Sequence, residues 1–446
     1  EPVYLSQKDV DLYYYGFSNE TVWPLFHYFP QYTEYSKETW DSYVRVNRQF
    51  ADAVIPHLKP GDKVWVHDYH LLLLPKMIKD EFPSASVGFF LHIPFPSFEV
   101  FRLLPWRMEI LEGFLGADLI GFHTYDYERH FLSCVRRLMG HETIFNRIRL
   151  ETRVVKVDAF PMGIDYDKFH NAALQHQQRA LKDKSKLQRE IEKYFLMSPD
   201  RKLIISIDRL DYSKGISKRL EAFEYFLENY PEFREKITLI LLAVPTRTNV
   251  EQYQIMKSEV DELVGRINGK FGDINWTPIW YFYRALPFED LIDLYASAEI
   301  ALITPIRDGM NLVAKEYVAS KTNSKGVLIL SEMAGAAKEL SEAIIVNPNN
   351  VEEIAEAIKN AANLPDEQQI ERNKILQSRL SRYNIEKWAN DFVASMDLVK
   401  EMQENYLAKK INEDIQERIV QRYQKAKKRV LFCDYDGTLV DFQKKP

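Results

Sequence analysis

The sequence contains few cysteines, no long apolar run and no strong excess of either charge. Only Cys134 and Cys433 are cysteines among 446 residues, and their spacing fits neither a disulfide framework nor a metal site. No apolar run approaches the roughly 20 residues that a membrane helix requires. The formal net charge of −6 argues against general affinity for nucleic acids or membrane surfaces. We therefore expect a globular protein of the reducing cytoplasm, with neither nucleic acid nor membrane as a partner.

The chain is too long for one ordinary hydrophobic core. With 446 residues, of which 46% are hydrophobic and 28% charged, it fits two or three globular domains. The first residues show neither a signal peptide nor an initiator methionine, so we expect a segment of a longer protein.

Short β-branched and aromatic runs alternate with amphipathic stretches, a pattern typical of parallel sheets with crossover helices. Several runs are apolar on both faces, as buried parallel strands are. We expect strands at 64–66, 87–92, 119–122, 154–160, 203–207, 237–243, 279–283, 300–304, 327–330 and 343–346.

These runs predict an α/β protein in which two Rossmann-like domains face a ligand cleft. We assign residues 1–165 to the first domain and residues 166–384 to the second. Residues 385–428 are expected to form helices and a linker. A stripe at helical spacing predicts that the first of these helices packs on a core; it contains Ile385, Trp388, Phe392, Met396 and Val399.

Two cations follow one of the expected strands. Arg209 and Lys214 come after the run 203–207, at the strand end where open parallel sheets bind ligands. Five residues apart, they can straddle a diphosphate and neutralise a leaving nucleotide without a metal. A surface turn with ordinary charges explains the same pattern equally well, so this motif alone leaves both interpretations open.

A second polar segment follows the run 300–304. Gly309 permits close approach of the backbone to a ligand, and the helix that begins nearby presents free N–H groups. Asp308 can hold sugar hydroxyls, and Glu316, two helical turns on, can accept both hydroxyls of a ribose. Taken alone, Glu316 is also explained as a solvated helix carboxylate.

Several strings, in order from Leu5 to about Asn390, resemble the trehalose-6-phosphate synthase family of retaining, two-domain GT-B glycosyltransferases. The strings are Tyr14-Tyr15-Gly16-Phe17-Ser18-Asn19 with Trp23-Pro24, His67-Asp68-Tyr69-His70-Leu71, Phe90-Leu91-His92-Ile93-Pro94-Phe95-Pro96, Arg209-Leu210-Asp211-Tyr212-Ser213-Lys214-Gly215, Pro245-Thr246-Arg247, Gly265-Arg266-Ile267-Asn268-Gly269 and the run 307–316.

The resemblance implies transfer of glucose from UDP-glucose to glucose 6-phosphate with retention, giving trehalose 6-phosphate and UDP. Arg209 and Lys214 would bind the donor diphosphate, and Glu316 its ribose. Asp308 and His92 would orient the transferred glucose, with no metal or other cofactor in this part of the chain. Four further residues would complete the donor site: Gly309, Met310, Asn311 and Leu312.

On the acceptor side, the resemblance implies that Asp68, Tyr14 and Trp23 contact the sugar. Arg247 would contact its phosphate, for which a bidentate guanidinium is suited. Taken alone, His92 and Trp23 are also explained as packed structural residues. The family further has a strand and a glycine-rich loop with an arginine for the acceptor phosphate, and these would precede Glu1.

The strings show no pair of carboxylates placed as in a hydrolase that retains configuration. The resemblance implies instead that the reaction takes place on one face of the sugar. The diphosphate leaves while its own oxygen helps to deprotonate the acceptor hydroxyl. Catalysis would then depend on positioning and on stabilising charge at the leaving group.

The last segment, residues 429–446, resembles the first strand and motif of haloacid-dehalogenase-type phosphatases. There Asp434 would be the nucleophile that takes the phosphoryl group, and Asp436 the acid and base, both beside Mg²⁺. A metal–diphosphate motif of other glycosyltransferases, or a plain turn, would also contain two aspartates at this spacing. The phosphatase domain would be incomplete here, and about 18 residues cannot form a core.

Three questions stay open on the sequence alone. One alternative is a regulatory protein that senses sugar phosphates and has weak or no synthase activity. The residues that the family uses at the donor site are nevertheless all present, namely Arg209, Lys214, Asp308 and Glu316. A related synthase with another acceptor, such as glycerol 3-phosphate, is a second alternative. The nucleotide base is also open, with UDP-glucose the family expectation, and a homo-oligomer is compatible with the sequence.

Overall fold

The computed structural model of the protein describes residues 2–179, 184–197, 200–248, 250–408 and 413–430. Two six-stranded sheets, each covered by helices, organise this part of the chain. None of the helices in these ranges combines the length and the apolar character that crossing a membrane requires.

The first sheet has the strand order β1-β2-β3-β6-β5-β4. β1, β2, β3 and β6 run parallel, and β4 and β5 add an antiparallel hairpin at one edge. The strands are β1 (Lys63–His67), β2 (Ser86–Phe90), β3 (Leu119–Phe122), β4 (Thr143–Ile144), β5 (Arg147–Arg149) and β6 (Val154–Ala159).

The second sheet has the order β12-β11-β10-β7-β8-β9, and all of its strands are parallel. Its central strands are buried along nearly their whole length, which explains their continuous apolar runs. The strands are β7 (Lys202–Arg209), β8 (Ile237–Val244), β9 (Ile279–Tyr283), β10 (Ile300–Ile303), β11 (Val327–Ser331) and β12 (Ile344–Val346).

The helices of the first half begin with a continuous helical segment whose middle, Val10–Val22, is a π-helix. They are α1 (Gln7–Asp9), α2 (Trp23–Phe26), α3 (Lys37–Val54), α4 (Leu74–Glu81), α5 (Phe98–Phe101), α6 (Arg107–Leu115), α7 (Tyr125–Met139) and α8 (Tyr166–Gln178).

The second half continues with longer amphipathic helices and several single 3₁₀ turns. The helices are α9 (Lys186–Met197), α10 (Ile216–Asn229), α11 (Glu251–Phe271), α12 (Phe288–Ser297), α13 (Leu312–Ser320), α14 (Val351–Ala362), α15 (Asp366–Arg382), α16 (Ile385–Ala408) and α17 (Glu413–Lys425). The 3₁₀ turns of the whole described chain are Pro30–Tyr32, Ile55–His57, Tyr69–Leu71, Tyr212–Lys214, Pro231–Phe233 and Gly335–Lys338.

Every strand expected from the sequence is present, and the two-domain α/β architecture is confirmed. The hairpin β4–β5 was not predicted. Its strands have two and three residues, too short for an alternating pattern to register. The residue limits assigned to the domains remain predictions.

The chain returns to the first sheet after completing the second. The predicted packing of α16 is confirmed: Trp388, Phe392, Met396 and Val399 form a buried cluster with residues of the first sheet. The ring of Phe392 stacks on Trp65 at 4.4 Å, and Trp388 Nε1 donates to the Phe160 carbonyl at 3.2 Å. This helix therefore ties the end of the second sheet's domain to the first.

Candidate active site

The polar residues singled out from the sequence lie at the carboxyl ends of parallel strands in both sheets. Asp68 follows β1 and His92 follows β2, while Arg209 ends β7 and Asp308 follows β10. The two groups face each other. A Cβ built on Gly309 would lie 2.3 Å from the carbonyl oxygen of His92, so only glycine permits this approach of the two backbones.

Lys214 and Asp308 form a buried ion pair. Lys214 Nζ lies 2.6 Å from Asp308 Oδ2, and Asn311 Nδ2 donates to the same oxygen at 3.0 Å. Burial disfavours the charged carboxylate, but the charge and hydrogen bond of Lys214 outweigh it and hold the pKa of Asp308 below its ordinary value. A carboxylate therefore stands at this point at neutral pH.

The loop after Asp308 leads directly into α13. Asn311 caps the helix in a left-handed conformation, with φ at 75°, and its Oδ1 accepts from Ala314 N at 3.1 Å. Met310 is buried, and Leu312 is the first residue of the helix. The free N–H groups of this helix start are suited to phosphate oxygens.

Arg209 is the exposed cation of the site. Its guanidinium lies 5.3 Å from the centre of the Trp23 ring, across the cleft. Among the described residues, its side chain has no hydrogen-bond or ion-pair partner. An exposed arginine at the end of a buried strand is available for an anionic ligand.

Arg247 is already engaged within the protein. Its guanidinium donates to Asp211 Oδ2 at 2.9 Å, to the Tyr253 hydroxyl at 2.6 Å and to the Tyr69 hydroxyl at 3.1 Å. It also lies 4.0 Å from the centre of the Trp23 ring. Since Tyr69 and Trp23 belong to the first domain, Arg247 joins the two halves of the cleft.

Among the residues that the structure describes, Trp23 Nε1 and Arg247 Nε are buried side-chain nitrogens of this cluster that have no hydrogen-bond partner. Buried donors are normally satisfied, so these two are available to a ligand oxygen. Beside them, His27 is fully enclosed, and its Nδ1 lies 2.8 Å from the Trp23 carbonyl. Burial lowers the pKa of His27 to about 4, so this ring is neutral at pH 7.

Asp68 adopts a left-handed backbone conformation, with φ at 73°. Its Oδ1 accepts from His92 N at 3.3 Å. Burial raises the pKa of Asp68 to about 6, opposed by backbone hydrogen bonds from Tyr69 and His92 and by the charges of two arginines. A carboxyl group with this pKa can exchange a proton near neutral pH.

His92 forms a short contact with a second histidine. Its Nε2 lies 3.0 Å from His67 Nδ1, so one of these nitrogens donates to the other. Burial lowers the pKa of His92 to about 4, with a smaller contribution from His67. His92 is therefore a neutral hydrogen-bonding group rather than a cation at pH 7.

The remaining predicted residues lie on either side of this cluster. Tyr14 is 37% exposed and stacks on His70, with ring centres 5.5 Å apart. Glu316, on α13, accepts from the Tyr295 hydroxyl at 2.7 Å, and burial raises its pKa. Asp434 and Asp436 lie outside the described residues.

The structure adds residues that the sequence did not single out. Tyr69 and Asp211 accept hydrogen bonds from Arg247. Both belong to motifs of the family resemblance, but the sequence assigned no role to either residue. Arg219 is fully buried and donates to Asp208 Oδ2 at 2.9 Å and to the Lys214 carbonyl at 3.0 Å, fixing the loop that contains Lys214. No pattern in the sequence distinguishes Arg219 from an exposed helix arginine.

The chain is similar in sequence to proteins of a known family. The sequence matches glycosyltransferase family 20 over residues 1–398. It is 47% identical over 444 residues to a protein of Thermoproteus tenax named bifunctional trehalose-6-phosphate synthase/phosphatase, covering 99% of this chain and 59% of that protein. The chain thus spans about three fifths of that relative's length.

Solved structures agree with the sequence match. An E. coli structure bound with UDP-2-fluoro glucose superimposes with a TM-score of 0.84 at 36% identity, covering 88% of this chain and 85% of that one. A trehalose-phosphate synthase of Burkholderia xenovorans in complex with glucose-6-phosphate gives a TM-score of 0.83 at 36% identity, covering 88% and 86%. The chain belongs to glycosyltransferase family 20.

Proposed function

We propose that the protein transfers glucose from UDP-glucose to glucose 6-phosphate with retention, forming trehalose 6-phosphate and UDP. The observation that carries the proposal is the arrangement of charge across one cleft. Arg209 and the Lys214–Asp308 pair on the second domain face Asp68, His92 and Trp23 on the first. A diphosphate and two sugars need this combination of cations, carboxylates and an aromatic wall.

In the proposed donor site, Arg209 and Lys214 contact the diphosphate. Lys214 has three N–H donors, so it can keep its hydrogen bond to Asp308 while contacting phosphate oxygens. Asp308, held ionised, accepts from glucose hydroxyls, and Glu316 accepts from the ribose. The start of α13 adds backbone donors to the phosphates.

In the proposed acceptor site, Asp68 accepts a hydrogen bond from an acceptor hydroxyl, with Tyr14 and Trp23 forming the wall. Arg247 contacts the phosphate through the donors that its internal network leaves unused, including Nε. The hydrogen bonds of Arg247 to Asp211 and Tyr69 fix the position of its guanidinium, which favours a defined geometry at the phosphate.

The proposed step breaks the bond between the anomeric carbon and the diphosphate oxygen. The acceptor hydroxyl oxygen forms the new bond on the same face of the sugar, and its proton passes to the departing diphosphate. Arg209 and Lys214 stabilise the negative charge that develops there. Asp68 and His92 act by orienting the two sugars rather than by forming a covalent intermediate.

We also propose that the chain is part of a bifunctional protein, as the name of the Thermoproteus tenax relative suggests, and that this protein is cytoplasmic. Asp434 and Asp436 would then open a Mg²⁺-dependent phosphatase domain that removes the phosphate of the product. Assembly into a homo-oligomer is a further prediction, which light scattering of the purified protein would test.

The direct test uses the purified full-length protein with UDP-glucose and glucose 6-phosphate. We expect equal amounts of UDP and trehalose 6-phosphate, the product being identified by mass and by the α configuration of both anomeric carbons. Glycerol 3-phosphate in place of glucose 6-phosphate tests the alternative acceptor. UDP binding without a disaccharide product from either acceptor would support the regulatory alternative and contradict the proposed reaction.

A further inference from the structure

A second cavity lies on the first domain, away from the cleft. Its volume is about 920 Å³, and it is bounded by α5, by the outer face of α7, by the hairpin β4–β5 and by the end of β6. Tyr127, on the same helix α7, points the other way and donates its hydroxyl to the Asp308 carbonyl at 3.1 Å. The helix therefore separates the cavity from the cleft.

The wall of the cavity contains Glu128, a largely buried residue whose carboxyl group faces the cavity. Glu128 is only 5% exposed, yet its side chain forms no hydrogen bond or ion pair with any residue in the described ranges. Burial, together with the charge of Asp158, raises the pKa of Glu128 to about 7. Because Glu128 lines the cavity, its carboxyl group can accept hydrogen bonds from the hydroxyls of a ligand bound there.

Two arginines line the other end of the cavity. Arg136 follows Glu128 by eight residues, so both project from one side of α7, about 12 Å apart along its axis. Arg136 is exposed and has no side-chain partner among the residues that the structure describes. Arg137 lies over the ring of Phe98, 4.8 Å from its centre, which holds a second guanidinium at the cavity.

We propose that this cavity is a binding site for a small phosphate monoester that carries several hydroxyl groups. Arg136 and Arg137 bind the phosphate, because guanidinium groups match phosphate oxygens in geometry and charge. Glu128 and Asp158 bind hydroxyls at the opposite end. The distance between the two ends favours an extended, several-carbon ligand over inorganic phosphate alone.

Isothermal titration calorimetry of the full-length protein with sorbitol 6-phosphate tests this proposal. Inorganic phosphate and unphosphorylated sorbitol serve as probes of each end alone. We expect binding of sorbitol 6-phosphate and at least tenfold weaker binding of either partial probe. Arg136→Glu should weaken sorbitol 6-phosphate binding at least tenfold. Arg382→Glu is the matched control, because Arg382 is an exposed helix arginine outside the cavity, and it should bind as the wild type does.

Glu128→Leu tests the hydroxyl end, with thermal unfolding used to verify that the variant is folded. We expect weaker binding of sorbitol 6-phosphate and unchanged binding of inorganic phosphate. Equal affinity of wild type and Arg136→Glu would overturn the proposal, as would no binding by the wild type. Binding that is lost in Arg247→Ala but kept in Arg136→Glu would assign the probe to the acceptor site of the cleft and also overturn it, without affecting the proposed reaction.

Discussion

Lys214 and Asp308 form a 2.6 Å ion pair although 94 residues separate them. Each follows a strand, Lys214 after β7 and Asp308 after β10, and these two strands are neighbours in the second sheet. The pair, together with the hydrogen bond from Asn311, sets the charge and orientation of Asp308. Its removal should affect folding stability and catalysis in different ways.

Lys214→Ala should lower both the free energy of unfolding and the activity. The loss of one partner leaves Asp308 buried without an opposite charge, which costs about 3 kcal/mol of stability. Loss of a cation at the leaving group costs about 2–4 kcal/mol at the transition state. Denaturant unfolding and kcat/KM measure the two effects.

The double variant Lys214→Ala, Asp308→Asn serves as the control for this pair. It should recover stability, because no buried charge remains unpaired, but not activity. Recovery of kcat/KM together with stability would show that Lys214 acts only as a structural partner of Asp308.

Arg209→Ala should reduce activity without reducing stability. The side chain is exposed and has no ion-pair partner within the described residues, so its removal leaves no buried group unsatisfied. The expected loss in kcat/KM is about 2–4 kcal/mol, because the cation stabilises the departing diphosphate. Arg382→Ala is the matched control and should leave kcat/KM unchanged. Near-normal turnover of Arg209→Ala would contradict the donor-site assignment.

The pH dependence of kcat/KM should report Asp68. Its pKa is raised to about 6 by burial, so the carboxylate that accepts the acceptor hydroxyl is lost as the pH falls through 6. We expect kcat/KM for glucose 6-phosphate to decline below pH 6 in the wild type. Asp68→Asn should have low activity at all pH values and lack this decline. An unchanged pH profile in Asp68→Asn would assign the titration to another group.

Arg247→Lys should separate the two roles of this residue. Lysine keeps the positive charge near Asp211 but loses the planar group that contacts Tyr69, Tyr253 and Trp23 together. We expect a higher KM for glucose 6-phosphate, with the KM for UDP-glucose changed much less. The two KM values measured on one preparation test this, and an equal rise in both would indicate a general loss of cleft structure.

The transfer should continue after metal removal, because Arg209 and Lys214 supply positive charge at the diphosphate. Activity is measured after dialysis against EDTA, with and without added Mg²⁺. A loss of trehalose 6-phosphate formation that Mg²⁺ restores would contradict this expectation.

Local sequence patterns determined the strands and the polar residues that follow them. A buried parallel strand needs a continuous apolar run, and such runs are enough to predict that Arg209 and Asp308 lie at strand ends. The fold class followed from the same alternation of strands and helices. The short hairpin β4–β5 was not predicted, because strands of two and three residues are too short to show the alternation of apolar and polar residues.

Only the tertiary structure decided which of these residues meet. The contact between Arg247 and Tyr69 spans 178 positions and joins two domains, and the pair of His67 and His92 depends on neighbouring strands. The buried network of Arg219 and the position of Glu128 in the cavity wall likewise come from long-range packing. Residue type and spacing describe a residue's own helix or strand, whereas burial, pKa and hydrogen-bond partners depend on what the fold brings against it.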